Sequence, residues 1–157
     1  MDIFGSIDPR KMPAYLFQGA VYLDYSSAIR GNPGKQNYLV CPRHWYLDAD
    51  FNCERCHVEF TWTAREQKYW FEDYYFWVDS RPRHCKGCVA VRKHLKLLRM
   101  EYDSTVRAAH LSSATKEKIR IIEVVCEMES AVVHLPRKMI ETKELFERQL
   151  RKSQSES

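Results

Sequence analysis

Two Cys-x-x-Cys pairs, Cys53/Cys56 and Cys85/Cys88, constrain this chain more than any other feature. Each pair offers two thiolates from one tight turn, and two such turns can close a tetrahedral site around one Zn²⁺, a borderline-soft ion that favours sulfur. Four sulfurs leave no open position for substrate or activated water, so the pattern argues for a structural ion and against metal catalysis. The 28 residues between the pairs exceed the roughly 15 to 20 of the commonest two-pair pattern. The excess is explained by an inserted helix crowded with aromatic residues.

The compartment bears on the thiols. No run of about 18 apolar residues exists, and the N-terminus lacks a basic region followed by an apolar one, so neither a membrane span nor a secretory signal is supported. A cytoplasmic protein is expected, and in a reducing compartment six cysteines read as ligands or buried thiols rather than a disulfide framework. The formal charge of +4 hints at an acidic partner, but four thiolates around one divalent ion carry a net −2, which leaves +2. The sequence pI of 8.7 also falls below the value of about 9 that would favour nucleic-acid binding on charge alone.

The chain divides into an arm over residues 1 to 40, a metal domain over 41 to 94, a helical extension over 95 to 151 and a disordered tail over 152 to 157. In the arm, Ala20-Val21-Tyr22-Leu23-Asp24-Tyr25 is rich in β-formers and reads equally as a packed strand or a partly ordered segment; Gly31-Asn32-Pro33-Gly34 is a turn. Trp45, Tyr46, Leu47 and Phe51 supply core, and Asp48-Ala49-Asp50 reads as a turn feeding the first thiol pair. Val58 to Thr63 alternates as a hairpin strand should, and Thr63 with Glu66 forms a capping box that starts a helix over about 64 to 74. Tyr69, Trp70, Phe71, Tyr74 and Tyr75 cover most of that helix, which is therefore sandwiched between layers or displayed to a partner; the sandwich is favoured.

After Cys88, Val91, Leu95, Leu98 and Tyr102 make an apolar stripe at helical spacing. Ser113 can cap a helix over about 114 to 133 carrying Ile119, Ile121, Ile122, Val125, Cys126, Val132 and Val133, with Cys126 expected as a buried thiol. Pro136 opens a last helix with Met139, Phe146 and Leu150 on one side. The fold class expected is α+β, a small β-hairpin-plus-helix metal domain followed by an α-helical unit. Knuckle, hairpin, then a second pair on the first turn of a helix is the layout of a treble clef, where the helix dipole and free N–H groups favour thiolate.

The stretches His44-Trp45-Tyr46-Leu47-Asp48, Cys53-Glu54-Arg55-Cys56, Val58 through Lys68, Cys85-Lys86-Gly87-Cys88 and Arg92-Lys93 resemble the probable zinc-ribbon domain of treble-clef type found in many bacterial proteins. The resemblance implies zinc at Cys53, Cys56, Cys85 and Cys88, a helical extension after the ribbon, and no assigned activity. His57 stands where the family usually has Gly, a place that often needs positive φ, and Val89 stands where it usually has Arg.

Cys41 and His44 have ligand-like spacing but lack a second pair to complete a tetrahedron. His84, beside Cys85, suits a contact to a ligand sulfur. Three functions follow in order. The first is a non-catalytic zinc module that binds a protein partner or acts as a scaffold. The second is nucleic-acid binding through Arg81, Arg83, Lys86, Arg92, Lys93, Lys96 and Arg99, whose bland alternative is a solvated basic face balancing the dianionic metal centre. The third, thiol redox chemistry, is the least favoured because the two pairs sit inside a ligation pattern.

Overall fold

Alternation in Trp45–Asn52 builds the central strand of a three-stranded antiparallel sheet, ordered β1 (Tyr22–Arg30), β2 (Trp45–Asn52) and β3 (Glu59–Trp62) in the computed structural model. The structure describes residues 1–111, 115–131 and 134–156. Strand β2 pairs Tyr22 with Asp50 and Arg30 with Trp45 on one side, and Ala49 with Trp62 and Phe51 with Phe60 on the other. Its inward residues Tyr46, Ala49 and Phe51 join Leu16, Cys41, Trp62, Phe71 and Val78 in one core.

One expectation changes here. Asp48-Ala49-Asp50 is strand rather than turn, because it pairs with β1 and β3 and both carboxylates find donors: Asp48 Oδ1 accepts from the Ala64 N–H, at the start of the following helix, at 2.6 Å and Asp50 Oδ1 from the Thr61 hydroxyl of β3 at 2.6 Å. The chain forms two compact units, one from Met1 to Cys88, which holds residues 1 to 40 together with both thiol pairs, and one from Val89 onward. Three short 3₁₀ turns, Ile3–Gly5, Pro9–Lys11 and Ala14–Phe17, lead into β1. Arg43 fastens the third: it is 1% exposed, Nε donates to the Val78 carbonyl at 2.7 Å, Nη2 donates to the Leu16 carbonyl, and the guanidinium lies 4.7 Å from the Phe71 ring centre. Burial lowers its pKa to about 10, so the charge persists at neutral pH.

Helix α1 (Ala64–Lys68) starts at the expected capping box, where Thr63 Oγ1 accepts from the Glu66 N–H at 3.2 Å and Glu66 Oε2 accepts from the Thr63 N–H at 3.1 Å. It then widens into a π turn over Tyr69–Asp73, closed by the Tyr74 N–H on the Tyr69 carbonyl at 3.0 Å. The wider turn rotates consecutive residues inward. Phe71 is fully buried, and Glu72 Oε1 accepts from the Tyr46 hydroxyl at 3.0 Å and the Asn32 N–H at 2.8 Å. The favoured sandwich therefore holds for Phe71 and, in part, for Trp70; Tyr69, Tyr74 and Tyr75 are exposed, as are Phe76 and Trp77.

The second unit is helical, built on α2 (Lys86–Leu111) beyond Cys88, α3 (Thr115–Ala131) and α4 (Arg137–Ser155). Leu98, Tyr102, Ile121, Val125, Met139 and Phe146 share its core. The packed stripe of α2 starts at Leu95, so Val91 remains exposed. On α3 the inward positions are Ile121, Val124, Val125 and Met128, a phase that turns Ile119 and Cys126 to the surface; Cys126 is an exposed thiol, contrary to expectation. Ser113, Val132 and Val133 lie outside the described residues. Helix α4 continues through Ser155, so 152–155 is helix where a tail was expected. Among the described residues, no helix is long and apolar enough to cross a membrane.

Candidate metal centre

Backbone geometry sets the first thiol pair. The Cys53 N–H donates to the Val58 carbonyl at 3.0 Å and the His57 N–H to the Cys53 carbonyl at 2.9 Å, closing the knuckle between β2 and β3. His57 takes φ +61°, the left-handed conformation that the usual Gly would adopt there. The second pair lies at the start of α2, where the Cys88 N–H points at Cys85 Sγ from 3.4 Å.

The four sulfurs of Cys53, Cys56, Cys85 and Cys88 all lie within 4.8 Å of one another, and Cys56 Sγ and Cys85 Sγ are 3.7 Å apart. Tetrahedral Zn–S bonds of about 2.3 Å imply sulfur separations of roughly 3.8 Å, so the donor set fits a single tetrahedral ion. Electrostatics agree. The N–H of Cys56, with those of Cys85 and Arg55, holds the Cys53 thiol down at about 5. Burial and the neighbouring sulfurs push Cys88 up to about 12. Four sulfurs this close cannot all carry negative charge unless a cation sits among them.

His84 Nδ1 lies 4.0 Å from Cys53 Sγ, a contact to the ligand rather than a fifth donor. Cys41 has a different role: its buried Sγ lies 2.8 Å from the Tyr15 hydroxyl, inside the core. Together with His44 it forms no second metal group among the described residues.

The basic stretch separates into two classes. Arg81 lies 3.5 Å from Glu54 and 5.2 Å from the Phe51 ring centre, Lys86 Nζ lies 2.5 Å from Glu66 Oε1, and Arg99 Nε lies 3.1 Å from Asp103 Oδ2. The exposed side chains of Arg83, Arg92, Lys93 and Lys96 have no ion pair among the described residues. Sequence reasoning missed Arg43 and the Tyr46–Glu72 pair, since nothing in the local pattern marks a cation or carboxylate as buried. It also missed a polar cavity of about 710 Å³ beside the knuckle, whose walls come from segments far apart in the chain.

A family model described as a probable treble clef domain matches residues 47–96, which include both thiol pairs. No curated protein and no solved structure matches the chain.

Proposed function

We propose, from the match of residues 47–96 to a probable treble clef domain and the clustering of four thiols, that the chain is a non-catalytic cytoplasmic zinc protein whose metal-bearing unit is a protein-interaction or scaffold module. One structural Zn²⁺ held by Cys53, Cys56, Cys85 and Cys88 stabilises the unit. The observation that carries the reading is the contrast between a closed four-sulfur site and the exposed surface of the same unit. The metal set offers no open position for chemistry, while Tyr69, Tyr74, Tyr75, Phe76 and Trp77 expose aromatic area within nine residues.

Metal analysis after purification without added metal, followed by chelation, tests it. One zinc per chain and loss of the β-rich signal on chelation support the reading. A unit that stays folded without metal overturns it.

A second reading, nucleic-acid binding, draws on Arg92, Lys93 and Lys96, which are exposed on α2 and free of ion pairs among the described residues, and on exposed Arg83. The partners of Arg81, Lys86 and Arg99 weaken it, because paired guanidinium and ammonium groups release fewer counterions. Titration with single- and double-stranded DNA and RNA across salt concentrations decides it; absence of salt-sensitive binding removes it.

A further inference from the structure

We infer that the polar cavity beside the knuckle is a binding site for a short peptide with both termini free. The inference rests on the structural-zinc reading, because the two segments that carry the metal ligands form one wall: Glu54 lies between Cys53 and Cys56, and Arg83 lies two residues before Cys85.

The cavity, about 710 Å³, is lined by Tyr15, Gly19, Glu54, Asp79, Arg81 and Arg83 among others. Arg81 is set in place. Its guanidinium faces the Phe51 ring at 5.2 Å, lies 3.5 Å from Glu54, and rests on Gly19, whose φ is +86° and where an added Cβ would stand 3.1 Å from Nη2. Its side chain keeps 31% of its surface open. Arg83 and Asp79 differ in that their side chains carry neither hydrogen bond nor ion pair among the described residues, although the Asp79 charge also favours buried Arg43.

The cavity thus offers one cation and one anion whose side chains make no hydrogen bond or ion-pair contact among the described residues, beside the Arg81–Glu54 pair. A simple anion would meet two carboxylates, and a simple amine two guanidinium groups. A zwitterion satisfies both open charges, with its carboxylate on Arg83, where a guanidinium fork accepts two oxygens, and its ammonium on Asp79. The cavity exceeds the space a single amino acid fills, which favours two or three residues with the chain ends held apart.

The test uses the full-length zinc-loaded chain and trialanine in three forms: free at both ends, N-acetylated and C-amidated, with inorganic phosphate as a fourth probe, all by isothermal titration calorimetry. Zinc content is measured on each sample, so failure of the metal reading shows as missing zinc and is separate from failure of binding. Saturable binding of the free peptide is expected, with a loss of about tenfold for either capped form, the scale of one charge-assisted hydrogen bond. Arg83→Gln should bind about tenfold more weakly and lose its discrimination against the amide; Asp79→Asn should do the same for the acetylated form. Both positions are exposed, and unchanged zinc content and circular dichroism verify each variant. No saturable binding to the zinc-loaded chain, binding of either capped form as tight as that of the free peptide, or phosphate binding as tight as the peptide overturns the inference.

Discussion

The Glu54 N–H donates to the Arg83 carbonyl at 2.9 Å, which ties the first thiol turn to the backbone leading into the second. The bond spans the long insertion and aligns two ligand pairs that the sequence separates. Each Cys-x-x-Cys turn is locally determined, but their meeting depends on contacts such as this and on the Lys86–Glu66 pair, which connects the second turn to the start of α1.

Removing one ligand should release the metal. Cys56→Ser leaves three sulfurs, and zinc-site energies of about 10 to 16 kcal/mol compare with whole-domain stabilities of about 5 to 15. Zinc content should fall from one per chain to near zero and the β-sheet signal should collapse, measured by metal analysis and circular dichroism.

The metal-free chain should show one unusually acidic thiol. Cys53 drops from 9.0 to about 5, so its thiolate contributes stability that is complete above the unfolded value and is lost as pH falls through about 5. Cys88 moves the other way, to about 12, and its contribution is complete below 9.0 and lost as pH rises towards 12. Ultraviolet thiolate absorbance, read by stopped flow in the interval after chelation in which the β-sheet signal still persists, should therefore rise in separated steps, the first near 5. A single step close to 9 while the β-sheet signal persists would contradict this arrangement.

Arg43→Met should destabilise the metal-bearing unit by about 3 kcal/mol or more. It leaves the Leu16 and Val78 carbonyls buried without a donor, at about 1 to 3 kcal/mol each. The denaturant midpoint reports the loss, and Arg43→Lys should recover only part of it because an ammonium cannot match the planar fork.

Thr63→Ala removes one half of the capping box and should cost about 1 kcal/mol, visible as a small drop in thermal midpoint with zinc retained. In the helical unit, Phe146→Ala should cost about 3 to 5 kcal/mol, because that ring is fully buried in the core.

What could be read from sequence follows the range of the interaction that determines it. The thiol pairs, the left-handed residue at His57 and the Thr63–Glu66 box are fixed within a few residues, and spacing reveals them. The place of β1 depends on pairing with β2 some twenty residues later, so the Ala20–Tyr25 pattern left strand and arm equally open. The aromatic run misled because a π turn breaks the 3.6-residue period on which the sandwich argument stood. Cys126 misled for a related reason: a broad apolar stripe does not reveal which of its edges faces water. The partners of Arg81, Lys86 and Arg99 range from four to twenty-seven residues away, and only the nearest, Asp103, stands at a helix spacing that sequence displays.

The buried Arg43 clasp separates two kinds of boundary. The segment that matches the treble clef family model starts at residue 47, inside β2, yet the cation that fastens Leu16 to Val78 precedes it and β1 lies wholly outside it. A fragment trimmed to the shared segment would keep all four sulfurs and lose the strand and clasp around them. The matched segment thus begins inside the compact unit that carries the thiols, and an expression boundary drawn from the match alone would cut through the sheet.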